Sequence, residues 1–158
     1  MVIVRLLDMM LRMFKSVLMV CVGNICRSPM AEGLFLELCR QTNHQISVDS
    51  AGIGALVGHA ADPYAVNLLA KRGMDISQHQ AKQITQELVA RHELILVMEK
   101  GHVQAVNQMI PQSRGRVHLL GKWNENEEIA DPYRKPEAHF VAALSAIERG
   151  IHAWEKYL

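Results

Sequence analysis

A chain of 158 residues, 49% of them apolar, is long enough for one domain with a full core, and a net charge of +1 offers no bulk attraction to nucleic acid or to an acidic partner. Three cysteines, an odd number, suit a reducing compartment such as the cytoplasm better than a disulfide framework. No apolar stretch is long enough for stable membrane insertion, and the eight histidines show no metal-ligand spacing, so neither a metal nor another cofactor is expected.

Residues 1–12 are apolar but interrupted by Arg5, Asp8 and Arg12, with no small-residue cleavage site behind them, which argues against a signal peptide. They are read as an extension without an assigned role, a short interfacial helix being the lesser alternative. The compact domain is expected to begin at Met13 and to occupy 13–158. Val17 to Cys21 has the length and composition of a buried strand. A tight loop follows, Val22-Gly23-Asn24-Ile25-Cys26, in which Gly23 and Asn24 tolerate unusual backbone angles. Ser28 reads as a helix N-cap and Pro29 as the first helical residue. Apolar residues at helical spacing extend that helix to about Gln41.

Gln45 to Ser50 alternates as a second strand, broken by Ala51-Gly52-Ile53-Gly54. Asp62-Pro63 opens a second helix that ends at Gly73, and Thr85 opens a short one over Gln86 to Arg91. Glu93 to Met98 is a third strand, His102 to Met109 a helix stopped by Pro111, and Val117 to Leu120 a fourth strand. A polar loop carries Asp131-Pro132-Tyr133, and Glu137 to Tyr157 closes the chain as an amphipathic helix. Strands alternating with helices imply an α/β sandwich around a parallel sheet, with ligands at the carboxyl ends of the strands. The Cys21 loop, the Ser50 turn, the Met98-Glu99 exit and the Asp131 loop all fall at that edge.

The loop after the first strand is built for an anion. Successive N–H groups form a nest, the following helix adds its positive end, and Arg27 adds a planar fork for two phosphate oxygens. Cys21 lies at the base, where those positive groups favour a thiolate nucleophile under a bound tetrahedral anion. The bland reading is a buried structural cysteine beside a surface arginine. Cleaving an aryl phosphate also needs a proton donor for the phenolate and a base for the hydrolytic water. Asp131 can serve as both in turn, because Pro132 stiffens its loop.

Cys-Val-Gly-Asn-Ile-Cys-Arg-Ser-Pro, continued by Met30-Ala31-Glu32, resembles the phosphate loop of low-molecular-weight protein tyrosine phosphatases, and the similarity covers residues 14–158. The resemblance implies a four-stranded parallel sheet in the order 2-1-3-4 and catalysis by Cys21, Arg27 and Asp131. It further implies that Asn24 orders the loop, that Ser28 supports the thiolate, and that Ser50 is a second supporting hydroxyl. His79 matches a histidine that bonds the Asn, and Glu32 the acid that holds that histidine. Tyr133 and Leu56 would form the walls of a slot deep enough for phosphotyrosine and too deep for phosphoserine. Leu56 and Arg134, where animal members carry aromatic residues, resemble the bacterial branch tied to exopolysaccharide and capsule export. That branch implies a phosphotyrosine protein substrate, the tyrosine-rich tail of a bacterial membrane tyrosine kinase, and inhibition by phosphate-like oxyanions. Cys26 is either a redox partner for Cys21 or packing beneath the loop.

Three rivals remain. An arsenate reductase of the same fold needs further redox cysteines downstream, and this chain has none after Cys39. A non-catalytic phosphotyrosine-binding module leaves the thiol and the acid loop without a purpose. A phosphocysteine carrier of the sugar-transport type should not need Arg27 and Asp131 together.

Overall fold

A computed structural model describes residues 14–158; the expected extension, 1–12, and the domain start at Met13 lie outside the described residues. Four parallel strands form one sheet in the order β2-β1-β3-β4, as the resemblance implies: β1 (Ser16–Cys21), β2 (Ser47–Gly52), β3 (Leu94–Val97) and β4 (Val117–Leu119). The helices are α1 (Arg27–Thr42), α2 (Pro63–Ala70), α3 (Gln86–Ala90), α4 (Lys100–Met109) and α5 (Glu137–Trp154).

The period-2 alternation of β1 divides the core. Val17, Met19 and Cys21 face α1, α2 and α5, while Leu18 and Val20 face α3 and α4. Both faces being covered, Val17 to Val20 are wholly buried, which is why the strand reads as a continuous apolar run. Each such side chain contributes roughly 1.5–3 kcal/mol of burial. With β2 and β3 paired on either side, β1 is held along its length and Cys21 is its last residue.

Several boundaries differ from expectation, and two of them bear on the loop after β1. Helix α1 begins at Arg27, with Cys26 in the N-cap position, so Ser28 is not the cap and Pro29 is not the first helical residue. Proline is tolerated anywhere among the first few helical positions, whose N–H groups have no intrahelical acceptor, so Pro29 did not fix the start. Strand β2 runs on through Ala51 to Gly52, whose Cα is paired with that of Cys21. A Cβ at Gly52 would lie 2.4 Å from the Val22 carbonyl oxygen, so glycine there marks a close backbone crossing rather than a break. The expected helix starts at Asp62 and Thr85 hold: Asp62 Oδ1 accepts from Tyr64 N–H and Thr85 Oγ from Leu88 N–H.

Candidate active site

From Cys21 the chain turns through Val22–Cys26 into α1, with Asn24 left-handed at φ 58°. Neighbouring segments hold the carbonyls of this loop. Ile53, Gly54 and Leu56 donate to the oxygens of Cys21, Val22 and Gly23, Asp62 donates to Ile25, and Met30 donates to Cys26. With the carbonyls so engaged, none of the N–H groups from Val22 to Cys26 has a protein acceptor among the described residues. Unpaired donors converging above a cysteine and running into a helix N-terminus make a concave anion site.

Asn24, wholly buried, stiffens the loop. Its Nδ2 donates to Ser28 Oγ at 2.8 Å and to Ser50 Oγ at 3.0 Å, and its Oδ1 accepts from Lys82 N–H at 2.9 Å. Because Ser28 Oγ already accepts from Asn24, its own proton is free to point at Cys21 Sγ, 3.0 Å away. Ser50 Oγ–H in turn donates to Glu32 Oε2 at 2.6 Å. The Asn24 carbonyl accepts from His79 Nε2 at 2.7 Å, which places the ring proton on Nε2. Burial pushes the Glu32 carboxyl up, against the hydrogen bond from Ser50. The resemblance had Glu32 holding His79; here its carboxylate binds Ser50, and the two side chains make no ion pair.

Arg27 is 1% exposed. Its Nη1 donates to Glu99 Oε2 and to the Ile129 carbonyl, both at 2.8 Å, and its Nη2 lies 3.4 Å from Asp131 Oδ2. Nε has no protein partner. Asp131 Oδ1 also accepts from Tyr133 N–H at 3.1 Å, the turn that Asp-Pro-Tyr favours. The carboxyl thus reaches over the loop while remaining in contact with solvent. A cavity of about 130 Å³ is bounded by Cys21, Arg27 and the loop below, with Leu56, Tyr133 and Asp131 around it. A larger one, about 480 Å³, lies behind Glu32 and His79, away from the thiol and the acid.

Cys26 Sγ is buried, and burial, then the charge of Asp62, pushes its thiol far above the ordinary range. It remains protonated at neutral pH, unlike a resting nucleophile. The structure therefore gathers Cys21, Val22, Gly23, Ile25, Cys26, Arg27, Asp131, Leu56 and Tyr133 at one cavity, with Asn24, Ser28, Ser50, Glu32 and His79 bracing the loop from behind. Sequence reasoning placed Glu99 at the correct edge but gave it no role. A carboxylate directly after a buried strand, at the edge that carries an arginine loop, was the available signal.

The family described as "Low molecular weight phosphotyrosine protein phosphatase" matches residues 16–158. The Ralstonia nicotianae protein named "Probable low molecular weight protein-tyrosine-phosphatase EpsP" is 50% identical over 142 residues, 90% of this chain and 94% of that one. The low molecular weight protein-tyrosine-phosphatase Wzb of Escherichia coli K12 is 43% identical over 146 residues, 92% of this chain and 97% of its own. Among solved structures, Vibrio vulnificus Wzb in complex with benzylphosphonate superposes with a TM-score of 0.86 at 41% identity, covering 92% of this chain and 99% of that one.

Proposed function

The chain belongs to the low molecular weight phosphotyrosine protein phosphatase family and is a protein-tyrosine phosphatase of the Wzb and EpsP kind; from that premise we propose how its residues carry out the reaction and on what. Cys21 is the nucleophile. Its thiolate attacks phosphorus in line, the bond from phosphorus to the phenolic oxygen breaks, and a phosphocysteine forms. The N–H groups of Val22–Cys26 and the Nε and Nη2 groups of Arg27 bind the three equatorial oxygens, where charge develops in the transition state. Asp131 gives its proton to the departing phenolate. It then takes a proton from water, which attacks phosphorus and releases the Cys21 thiolate and inorganic phosphate. Ser28 stabilises that thiolate both before attack and on departure.

Leu56 and Tyr133 flank the aryl ring, so a short phosphoserine cannot bring its phosphorus to Cys21. The substrate is the tyrosine-rich tail of a polysaccharide-export tyrosine kinase, met in the cytoplasm. The kinship with the EpsP and Wzb proteins supports that choice, and no described helix is long and apolar enough to cross a membrane.

One observation carries the mechanism: a ring of unpaired backbone donors with a thiol at its base and a carboxyl over its mouth. The test compares hydrolysis of a phosphotyrosine peptide with its phosphoserine counterpart, without added metal, in the wild type and in Cys21→Ser. Turnover of the first peptide alone, abolished in Cys21→Ser while vanadate still binds, is expected. Substantial turnover by Cys21→Ser refutes the mechanism.

A further inference from the structure

Nothing within the phosphate loop fixes the Arg27 guanidinium. Its Nη1 is anchored by the Ile129 carbonyl and by the one side chain of Glu99, 72 residues away in sequence, whose local role would be a different one. Glu99 occupies the N-cap position of α4, yet its side chain makes no bond to that helix's own N–H groups. Glu128 Oε1 meets the Lys100 N–H instead, at 3.2 Å. Relieved of capping, the Oε2 atom of Glu99 receives Arg27 Nη1 at 2.8 Å and, from the next turn of α4, His102 Nε2 at 3.0 Å.

His102 is buried, and its other nitrogen, Nδ1, has no protein partner. An ionised carboxylate only accepts, so the ring proton is on Nε2, and Nδ1 is left without a protein donor. Burial and the Arg27 charge hold the ring below the usual histidine range, so it is neutral at pH 7. The one nitrogen that is paired is the one facing Glu99.

We propose that His102 is a positioning residue for the phosphoryl site: its Nε2–H holds Glu99 Oε2 on Arg27 Nη1, so that Nε and Nη2 stay turned to the cavity. Without that donor Glu99 has a freer side chain, and the guanidinium has Asp131, 3.4 Å from Nη2, as a competing anchor. The inference rests on the reading above that the cavity takes a phosphoryl group.

The experiment uses the full chain with vanadate as the probe, in wild type, His102→Phe, His102→Gln, Glu99→Gln and the double variant Glu99→Gln/His102→Phe. Outer-shell groups that orient a binding residue are commonly worth tenfold or more, so His102→Phe should weaken vanadate binding by about tenfold. Its thermal transition should stay cooperative, so that the loss is one of affinity and not of folding. His102→Gln, which restores a donor, should recover affinity to within about threefold, and His102→Phe should add less than about twofold to Glu99→Gln. The proposal is overturned if His102→Phe binds vanadate like the wild type, if His102→Gln is as weak as His102→Phe, or if the two losses multiply in the double variant. Should the Phe variant fail to fold, His102→Leu gives the same comparison. A wild type that binds no vanadate refutes the phosphatase mechanism itself and not this refinement of it.

Discussion

Replacing Asn24 separates its two contributions, conformation and hydrogen bonding. Asn24→Ala removes the donations to Ser28 and Ser50, both buried, and the half-buried acceptance from Lys82, bonds worth about 1 kcal/mol each in net terms. Alanine must also hold the left-handed φ of 58°, which costs a further 1 kcal/mol or so. The sum, about 4 kcal/mol, corresponds to a melting-temperature drop of roughly 10 °C for a domain of this size. Asn24→Gly loses the same bonds without the left-handed strain, so it should be the more stable variant by about 1 kcal/mol, against the usual order in which Gly is the worse residue. Both should lose activity, because the Ser28 hydroxyl is no longer forced to point its proton at Cys21. Thermal melts of the three proteins, with kcat/KM on an aryl phosphate, are sufficient. An alanine variant as stable as the glycine one, or a loss well below 1 kcal/mol, would refute the account of Asn24 as the keystone of the loop.

Asp131→Asn should lose about a hundredfold or more on phosphotyrosine and much less on a nitrophenyl phosphate, whose leaving group departs nearly unaided; parallel plots of rate against leaving-group pKa would mean that another residue supplies the proton. Cys26→Ser should recover less activity with thiols after peroxide treatment if Cys26 caps oxidised Cys21 as a disulfide, whereas equal recovery assigns Cys26 to packing. Glu32 has a folded-state pKa raised from 4.5, so its ionisation opposes folding: the cost is absent below that ordinary value and complete above the raised one. Relative to Glu32→Gln, the wild type should therefore gain melting temperature as pH is lowered through that window, and a flat difference from pH 8 to 4 would contradict the burial of the charge. A chain beginning at Met13 should fold and turn over like the full one, and a fallen rate or melting temperature would place the domain boundary earlier.

What could be read from the residues was what lies contiguous in the chain. A buried strand, a loop and a helix start carry Cys21, Arg27 and Ser28 within eight positions, so the anion site was visible before any tertiary contact. Asp-Pro-Tyr likewise marks a turn whose acid is presented by its own backbone. The strand order came from family resemblance alone, since nothing in the periodicity of a buried parallel strand names its neighbours. The edge on which Glu99 stands was legible, but what it and His102 hold was not, for a different reason. A carboxylate and a histidine at a helix start have ordinary local uses, and only the fold shows that Glu99 is turned to Arg27 and His102 to Glu99. The start of α1 was misjudged because Ser28 has the chemistry of a cap and uses it on Asn24 and Cys21 instead.

The unpaired donors of Val22–Cys26 also govern how long the protein survives. Folding fixes these donors in place through the carbonyls they alternate with, so an oxyanion that meets them finds them already oriented. Whatever fills the ring stabilises the native state by RT ln(1 + [L]/Kd), with no further chain to order. On the mechanism proposed above, inorganic phosphate, the product, would be both a brake and a preservative: the concentration that slows turnover would protect the idle enzyme from heat and proteases. Catalytic output and lifetime would then be tied to one metabolite through one loop, each gained at the other's expense.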